Sequence, residues 1–385
     1  MVWHFVDVFG VGQSTSLYRL GRVEIQERKL KLCRYRWKSK KKRKNGNGWS
    51  SIWRGGRRKE DRNMLAVKMF AEGVVEQIKA YLPPEYGSVI CSVKERNKSN
   101  NVLQVGIQAD MPGHLNSPFI YMESFYDEVR SGKPIDKIMK DIAVMIQNGL
   151  DGPALDQNIQ IEEFESIKDY LSVMVVKTAE NRKLLEQVPH KEVEDLSLIC
   201  YVDFPVELEE CSATLKITER MLQEWNMSQD ELFQIASGNT NPANKPVLQN
   251  IEDLMRQTLV GGDESENLLK KEISFSNQNA AMLVLTNEKK NLGASMMFEP
   301  QVMDKISKMF PEGFYILPSS LHEVLIIPDC MDVSPKELGA MVREVNRCAV
   351  EKVDQLSDRV YRYDKEKQKI VEVPESIERG KEMWR

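Results

Sequence analysis

The stretch Pro318-Ser319-Ser320-Leu321-His322-Glu323 holds the densest set of chemically capable side chains in the sequence. A serine hydroxyl beside an imidazole can form a nucleophile and its general base, with Glu323 or a distant acid to orient the ring. Two features of the pattern weigh against that use. Consecutive side chains on an extended chain point to opposite faces, so His322 and Glu323 diverge. Neither serine sits in the strand–elbow–helix pattern that surrounds a hydrolase nucleophile. The competing role is structural, with both hydroxyls and the imidazole pairing backbone groups of a tight turn between two apolar strands. His190, in Val188-Pro189-His190, is the second histidine of interest; a bound metal shared with His322 would rest on two lone histidines far apart in sequence, which is weak support. The candidate ligand or partner site is therefore Ser319, Ser320, His322, Glu323 and His190, with no residue assigned a catalytic role.

Other patterns exclude more than they suggest. The six cysteines (Cys33, Cys91, Cys200, Cys211, Cys330, Cys348) form no C-x-x-C pair and have no histidine at finger spacing, so no metal site is expected. Cys200 and Cys348 read as small buried hydrophobes, kept reduced in a cytoplasmic protein. Gly261-Gly262-Asp263 lacks the strand and lysine of a phosphate loop and reads as a helix stop. Glu207, Glu209 and Glu210 read as a solvated loop, and the many methionines as core filling. No cofactor is expected. No apolar run approaches the roughly 18–20 residues that a bilayer requires, and no secretory signal opens the chain, so no membrane partner is expected.

Charge divides the chain in two. Residues 1–63 hold 18 Lys and Arg against 5 Asp and Glu, whereas residues 64–385 hold 36 against 53. Four of the six tryptophans also lie in 1–63. The run Lys38-Ser39-Lys40-Lys41-Lys42-Arg43-Lys44 fits a nucleic-acid-binding arm. The stretch shows no useful helical or strand period, however, and ends in Lys59-Glu60-Asp61-Arg62-Asn63-Met64, whose codons can contain a bacterial ribosome-binding sequence. Residues 1–63 are therefore expected to lie upstream of the true start, with a basic arm or a fused fragment as the alternatives.

From Met64 the periods are clearer. Apolar residues at helical spacing over 65–82 stop at Pro83-Pro84, and strand-like runs follow at 88–93 and 102–109, with a short one at 119–122. Helices are expected over 123–130 and 135–146, and a linker over 149–158. Strands are expected over 170–176, 196–204 and 213–218, with a helix over 180–187 between the first two. Ser228-Gln229-Asp230-Glu231 and Ser334-Pro335-Lys336-Glu337 are capping boxes, each opening an amphipathic helix. Further helices are expected over 247–259 and 302–310, and strands over 282–285, 294–298, 314–317 and 324–327. A closing ribbon is expected over 360–363 and 370–373. The fold class is α+β: tandem or duplicated strand–strand–helix modules with mixed or antiparallel sheets, preceded by a basic unstructured extension. The boundaries are 1–63 for that extension, 64–150 for an N-terminal segment, 165–262 and 272–373 for two modules, and 374–385 for a tail.

Ile120-Tyr121-Met122-Glu123-Ser124-Phe125-Tyr126, Thr178-Ala179-Glu180-Asn181-Arg182-Lys183-Leu184-Leu185, Val188-Pro189-His190 and Phe314-Tyr315-Ile316-Leu317-Pro318-Ser319-Ser320-Leu321-His322-Glu323-Val324 resemble a bacterial family catalogued only as a domain of unknown function (family 5688). The resemblance covers about 64–370 and leaves out residues 1–63. It implies a cytoplasmic bacterial protein and supplies no activity, cofactor or site residue. Three functions compete on the sequence. The favoured one is a non-enzymatic binding or regulatory module for an unknown protein or small ligand. The others are a hydrolase-like enzyme centred on Ser319, Ser320 and His322, and nucleic-acid binding through residues 1–63. The last requires that stretch to be real, because the acidic body repels phosphate.

Overall fold

The computed structural model describes residues 7–11, 56–114, 116–152, 160–204, 211–260, 265–275, 281–331 and 333–376. Its elements in chain order begin with strand β1 (Asp7–Val11), helix α1 (Gly56–Gln77), β2 (Ile90–Asn97), β3 (Leu103–Asp110) and β4 (Phe119–Tyr121). Helices α2 (Glu123–Arg130) and α3 (Ile135–Asp151) follow, then β5 (Leu171–Lys177), β6 (His190–Val193), β7 (Leu196–Phe204) and β8 (Cys211–Lys216). Next come α4 (Glu219–Glu224), α5 (Gln229–Gly238), β9 (Pro246–Asn250), α6 (Ile251–Val260), β10 (Leu283–Asn287) and α7 (Pro300–Met309). The chain closes with β11 (Phe314–Leu317), β12 (Val324–Pro328), α8 (Pro335–Ala349), β13 (Tyr361–Asp364) and β14 (Lys369–Glu372). The class is α+β, as the patterning predicts. Among the described residues no helix is long and apolar enough to cross a membrane.

The fold divides into two compact units, the first built on residues 36–160 and the second on 161–202 and 216–385, with residues 203–215 belonging to the first. In the first unit β2, β3 and β4 are antiparallel neighbours, with β1 and then β8 beyond them. β1 runs parallel to β4, with Gly10 opposite Phe119, and antiparallel to β8. Its core takes Val67, Ala71 and Val74 from α1 and Ile78 from the 3-10 turn that follows, all at helical spacing. Val105, Ile107 and Ala109 come from alternate positions of β3, and Ile138, Ile142 and Ile146 from α3.

In the second unit β5, β7 and β6 form one antiparallel group. A six-stranded antiparallel sheet has the order β14-β13-β11-β12-β10-β9. Val324 and Ile326 of β12 join a core containing Met303 and Ile306 of α7, while Ile327 joins Leu338 and Val342 of α8. A strand covered on both faces reads as a continuous apolar run, which explains Val324-Leu325-Ile326-Ile327. Both capping boxes form: Ser228 accepts from the Glu231 amide and Ser334 from the Glu337 amide, and each glutamate reaches back.

Five expectations are corrected. Cys348, expected to be buried, is exposed on helix α8, rotated out of the face that buries Val345 and Ala349. Helix α1 begins at Gly56, upstream of Met64, because Arg57 to Arg62 are good or tolerable helix formers and need no apolar stripe to extend it. Helix α3 runs on to Asp151, into the expected linker. The expected helix over 247–259 is strand β9 followed by α6, since pairing with β10 (Leu248 opposite Leu285) overrides local propensity. The expected strand over 294–298 is a 3-10 helix, Gly293–Phe298, whose first two amides are taken by carbonyls of the 318–322 turn. The lysine-rich run at 38–44, the acidic cluster at 207–210 and the glycine stop at 261–262 lie outside the described residues.

Candidate functional site

The turn between β11 and β12 is knitted to two other parts of the second unit. On one side, the Leu356 and Ser357 amides donate to the carbonyls of Ser319 and Pro318, and the Leu321 amide donates to the Asp354 carbonyl. On the other, the Gly293 and Ala294 amides donate to the carbonyls of His322 and Leu321, and the Thr286 hydroxyl donates to the His322 carbonyl at 2.7 Å. Ser319 and Ser320 are buried. Ser320 Oγ accepts the amide of His322 at 3.1 Å.

The His322 ring is engaged at both nitrogens. Nδ1 accepts the Leu292 amide at 3.2 Å, so the ring proton of the neutral form sits on Nε2. Nε2 faces Asp354 Oδ1 at 3.2 Å, and only 13% of the side chain is exposed. Leu292 holds a left-handed backbone (φ 55°), a conformation costly for a residue with a branched side chain, and the imidazole stabilises it by taking its amide. A general base needs a free lone pair directed at the nucleophile. Here that lone pair is given to a backbone amide, and Ser320 bonds to backbone. Glu323 follows, half-buried, at the entry to β12.

His190 opens β6 with the opposite tautomer: its Nδ1–H donates to the Val188 carbonyl at 3.0 Å, and Nε2 is 3.9 Å from Glu192 Oε1. The Gln229 side chain donates to the His190 carbonyl. Among the described residues the two histidines share no hydrogen-bonding or ionic partner. Among the described residues no group of three or more His, Cys, Asp and Glu side chains could hold a metal ion.

Three polar constellations were invisible to sequence reasoning. The first is Asp354 itself, one acid among many until the fold brings it to His322. The second centres on Asp195, in the two-residue turn between β6 and β7. Its carboxylate accepts the Tyr361 hydroxyl and, at 3.0 Å, the Ser357 hydroxyl, with Arg359 Nε at 3.5 Å. Tyr361 is fully buried, and burial together with the Asp195 carboxylate pushes its phenol far above the ordinary range. The third lies in the first unit, where Asp151 accepts the Tyr86 hydroxyl and sits 3.5 Å from His114 Nε2. The hydrogen bond to Asp151 pushes Tyr86 up to about 12. Partners separated by as many as 166 residues leave no local signal.

The second unit also has an apolar pocket of about 200 Å³. Val193 and Leu198 wall one side, Phe298, Pro300 and Met303 another, and residues 368–370 the third, with Tyr363 beside them. The Tyr363 hydroxyl donates to Asp304 at 3.0 Å, and burial followed by that carboxylate raises its pKa to about 12.

A profile of the family of unknown function DUF5688 matches residues 67–365, well over half of the chain. The chain belongs to that family. The DUF5688 match takes in both units, the 318–322 turn, Asp354 and Asp195, and begins within α1. No curated protein and no solved structure matches the chain.

Proposed function

We propose that this DUF5688 protein is a non-enzymatic, cytoplasmic binding or regulatory module. The observation that carries the reading is the His322 ring. With Nδ1 on the Leu292 amide and Nε2 at Asp354, it has no lone pair left for a serine. Ser320 likewise spends its oxygen on the His322 amide. What the second unit offers instead is an apolar pocket with few polar groups, the form of a recognition site rather than of a reaction centre.

The test is thermal unfolding of His322→Ala and Ser319→Ala beside the parent, with an esterase and phosphatase substrate panel on all three. Loss of stability in His322→Ala with no parent activity is the expected result. A parent activity that both variants lose, at unchanged or raised stability, would replace this reading with a hydrolase centred on Ser319, Ser320 and His322.

A further inference from the structure

The apolar pocket of the second unit grows out of a packed core. Met297 and Met303 in its wall are buried members of that core, and Leu198, Phe298 and Tyr363 are half-buried against it. Its volume is about 200 Å³. An apolar cavity of roughly 150 Å³ takes up benzene, whereas drug-sized ligands occupy roughly 300–1,000 Å³. The fit is therefore to one ring or two fused rings. Phe298 offers an aromatic surface to such a ring, and methionine thioethers adapt to ring edges. The ribbon beside the pocket carries Lys365, Lys367 and Lys369 against Asp364, Glu366 and Glu372, with Lys369 opposite Asp364. It selects neither sign of charge. The Tyr363 hydroxyl gives its proton to Asp304 at 3.0 Å, so the oxygen it brings beside the pocket can only accept. An aromatic body, no net charge and one hydrogen-bond donor are the properties these groups match.

We propose that this pocket binds a small neutral aromatic molecule with one hydrogen-bond donor, of the size of indole or 4-methylphenol, its ring against Phe298, Met297 and Met303 and its N–H or O–H on the Tyr363 oxygen. The inference rests on the binding-module reading and names its ligand class. Burial of the ring supplies the affinity, the pocket volume sets the size limit, and the Tyr363 oxygen selects the donor.

The experiment is isothermal titration of the full chain with indole, 4-methylphenol, toluene and benzoate. Saturable binding of indole and 4-methylphenol at one molecule per chain is expected, with benzoate at least about tenfold weaker because its charge finds no net partner. Val193→Trp, at a half-buried wall position, is expected to fill the pocket and to cut binding of both by more than about tenfold, with the melting temperature unchanged or raised. Tyr363→Phe is expected to weaken 4-methylphenol severalfold and to leave toluene unaffected, a difference that a purely structural role of the hydroxyl does not produce. A lack of saturable binding up to millimolar ligand would overturn the proposal, as would benzoate binding as tightly as 4-methylphenol, full binding by a folded Val193→Trp protein, or equal losses for 4-methylphenol and toluene in Tyr363→Phe. A parent esterase or phosphatase activity lost in His322→Ala and Ser319→Ala would sink the binding-module reading itself. Failure of these ligands in an inactive protein whose melting temperature other small molecules raise would sink the ligand class alone.

Discussion

His322 and Asp354 meet twice: Nε2 of the ring lies 3.2 Å from Asp354 Oδ1, and the amide before it, from Leu321, donates to the Asp354 carbonyl. One residue thus holds both the backbone and the side chain of the turn, while the ring's other nitrogen holds Leu292 in its left-handed conformation. Removing the ring leaves the Leu292 amide and the Asp354 carboxylate without it in a mostly buried setting. His322→Ala is expected to cost about 1–3 kcal/mol. Asp354→Asn keeps an acceptor for Nε2–H and should cost about 0.5–1.5 kcal/mol. Urea titration of both variants checks the order, and a His322→Ala protein as stable as the parent would remove the scaffold role.

Gly293 stands where no side chain fits. Its amide donates to the His322 carbonyl at 3.1 Å, and a Cβ there would lie 2.6 Å from the Asn287 amide nitrogen and 2.9 Å from the His322 carbonyl oxygen. These neighbours are backbone and cannot step aside. Gly293→Ala should therefore cost about 1–3 kcal/mol by forcing the 287–293 turn away from His322. A calorimetric midpoint equal to that of the parent would show that the turn yields freely.

Tyr361 links β13 to the β6–β7 turn through Asp195, and its phenol is held far above the ordinary value by burial and that carboxylate. A phenol raised in the folded state contributes stability that is complete below pH 10, the unfolded value, and is lost as pH rises beyond it. Stability above pH 10 should fall with a share of about 1.4 kcal/mol per pH unit from this one proton. Tyr361→Phe should be less stable at pH 7, having removed a donor from a buried carboxylate, yet should show a shallower alkaline slope. Denaturant midpoints measured from pH 8 to 11 test both halves.

Helix α8 buries Leu338, Val342, Val345 and Ala349, together with Gly339 and Asn346, while Met341 is only half-buried. Val345→Asp places a carboxylate among Ala349 and Val350 and should cost several kcal/mol, about 3 or more. Chemical denaturation reads this directly. An unchanged midpoint would mean that this end of the helix turns toward water.

Much of the scaffold was legible in the sequence, because its signals are local. Helix α2 and strands β7 and β11 start and stop where their periods do. Serine followed three positions later by glutamate opens α5 and α8, since a cap acts within one turn. The doubly covered strand β12 announced itself by four apolar residues in a row. The two segments read as the wrong type of element are those whose conformation is set by distant partners. The 293–298 stretch has strand composition and becomes a 3-10 helix because carbonyls of Leu321 and His322 take its first amides. Pro246–Asn250 becomes a strand because β10 is there to pair with it.

The same division governs the candidate site. Residue types at 318–323 showed where serine and histidine chemistry was available, and the alternation of an extended chain already set His322 and Glu323 apart. Which way each lone pair points was a tertiary decision. Asp354 and Leu292 reach His322 only through the folding of the second unit, and they turn a nucleophile-like pattern into a turn held by hydrogen bonds. The pocket at β14 is likewise tertiary: its walls come from β6, β7, the 298–303 stretch and the closing ribbon. Sequence sets what each residue can donate, accept or bury. Only the packing of segments apart in sequence decides which of those capacities remain open to a partner.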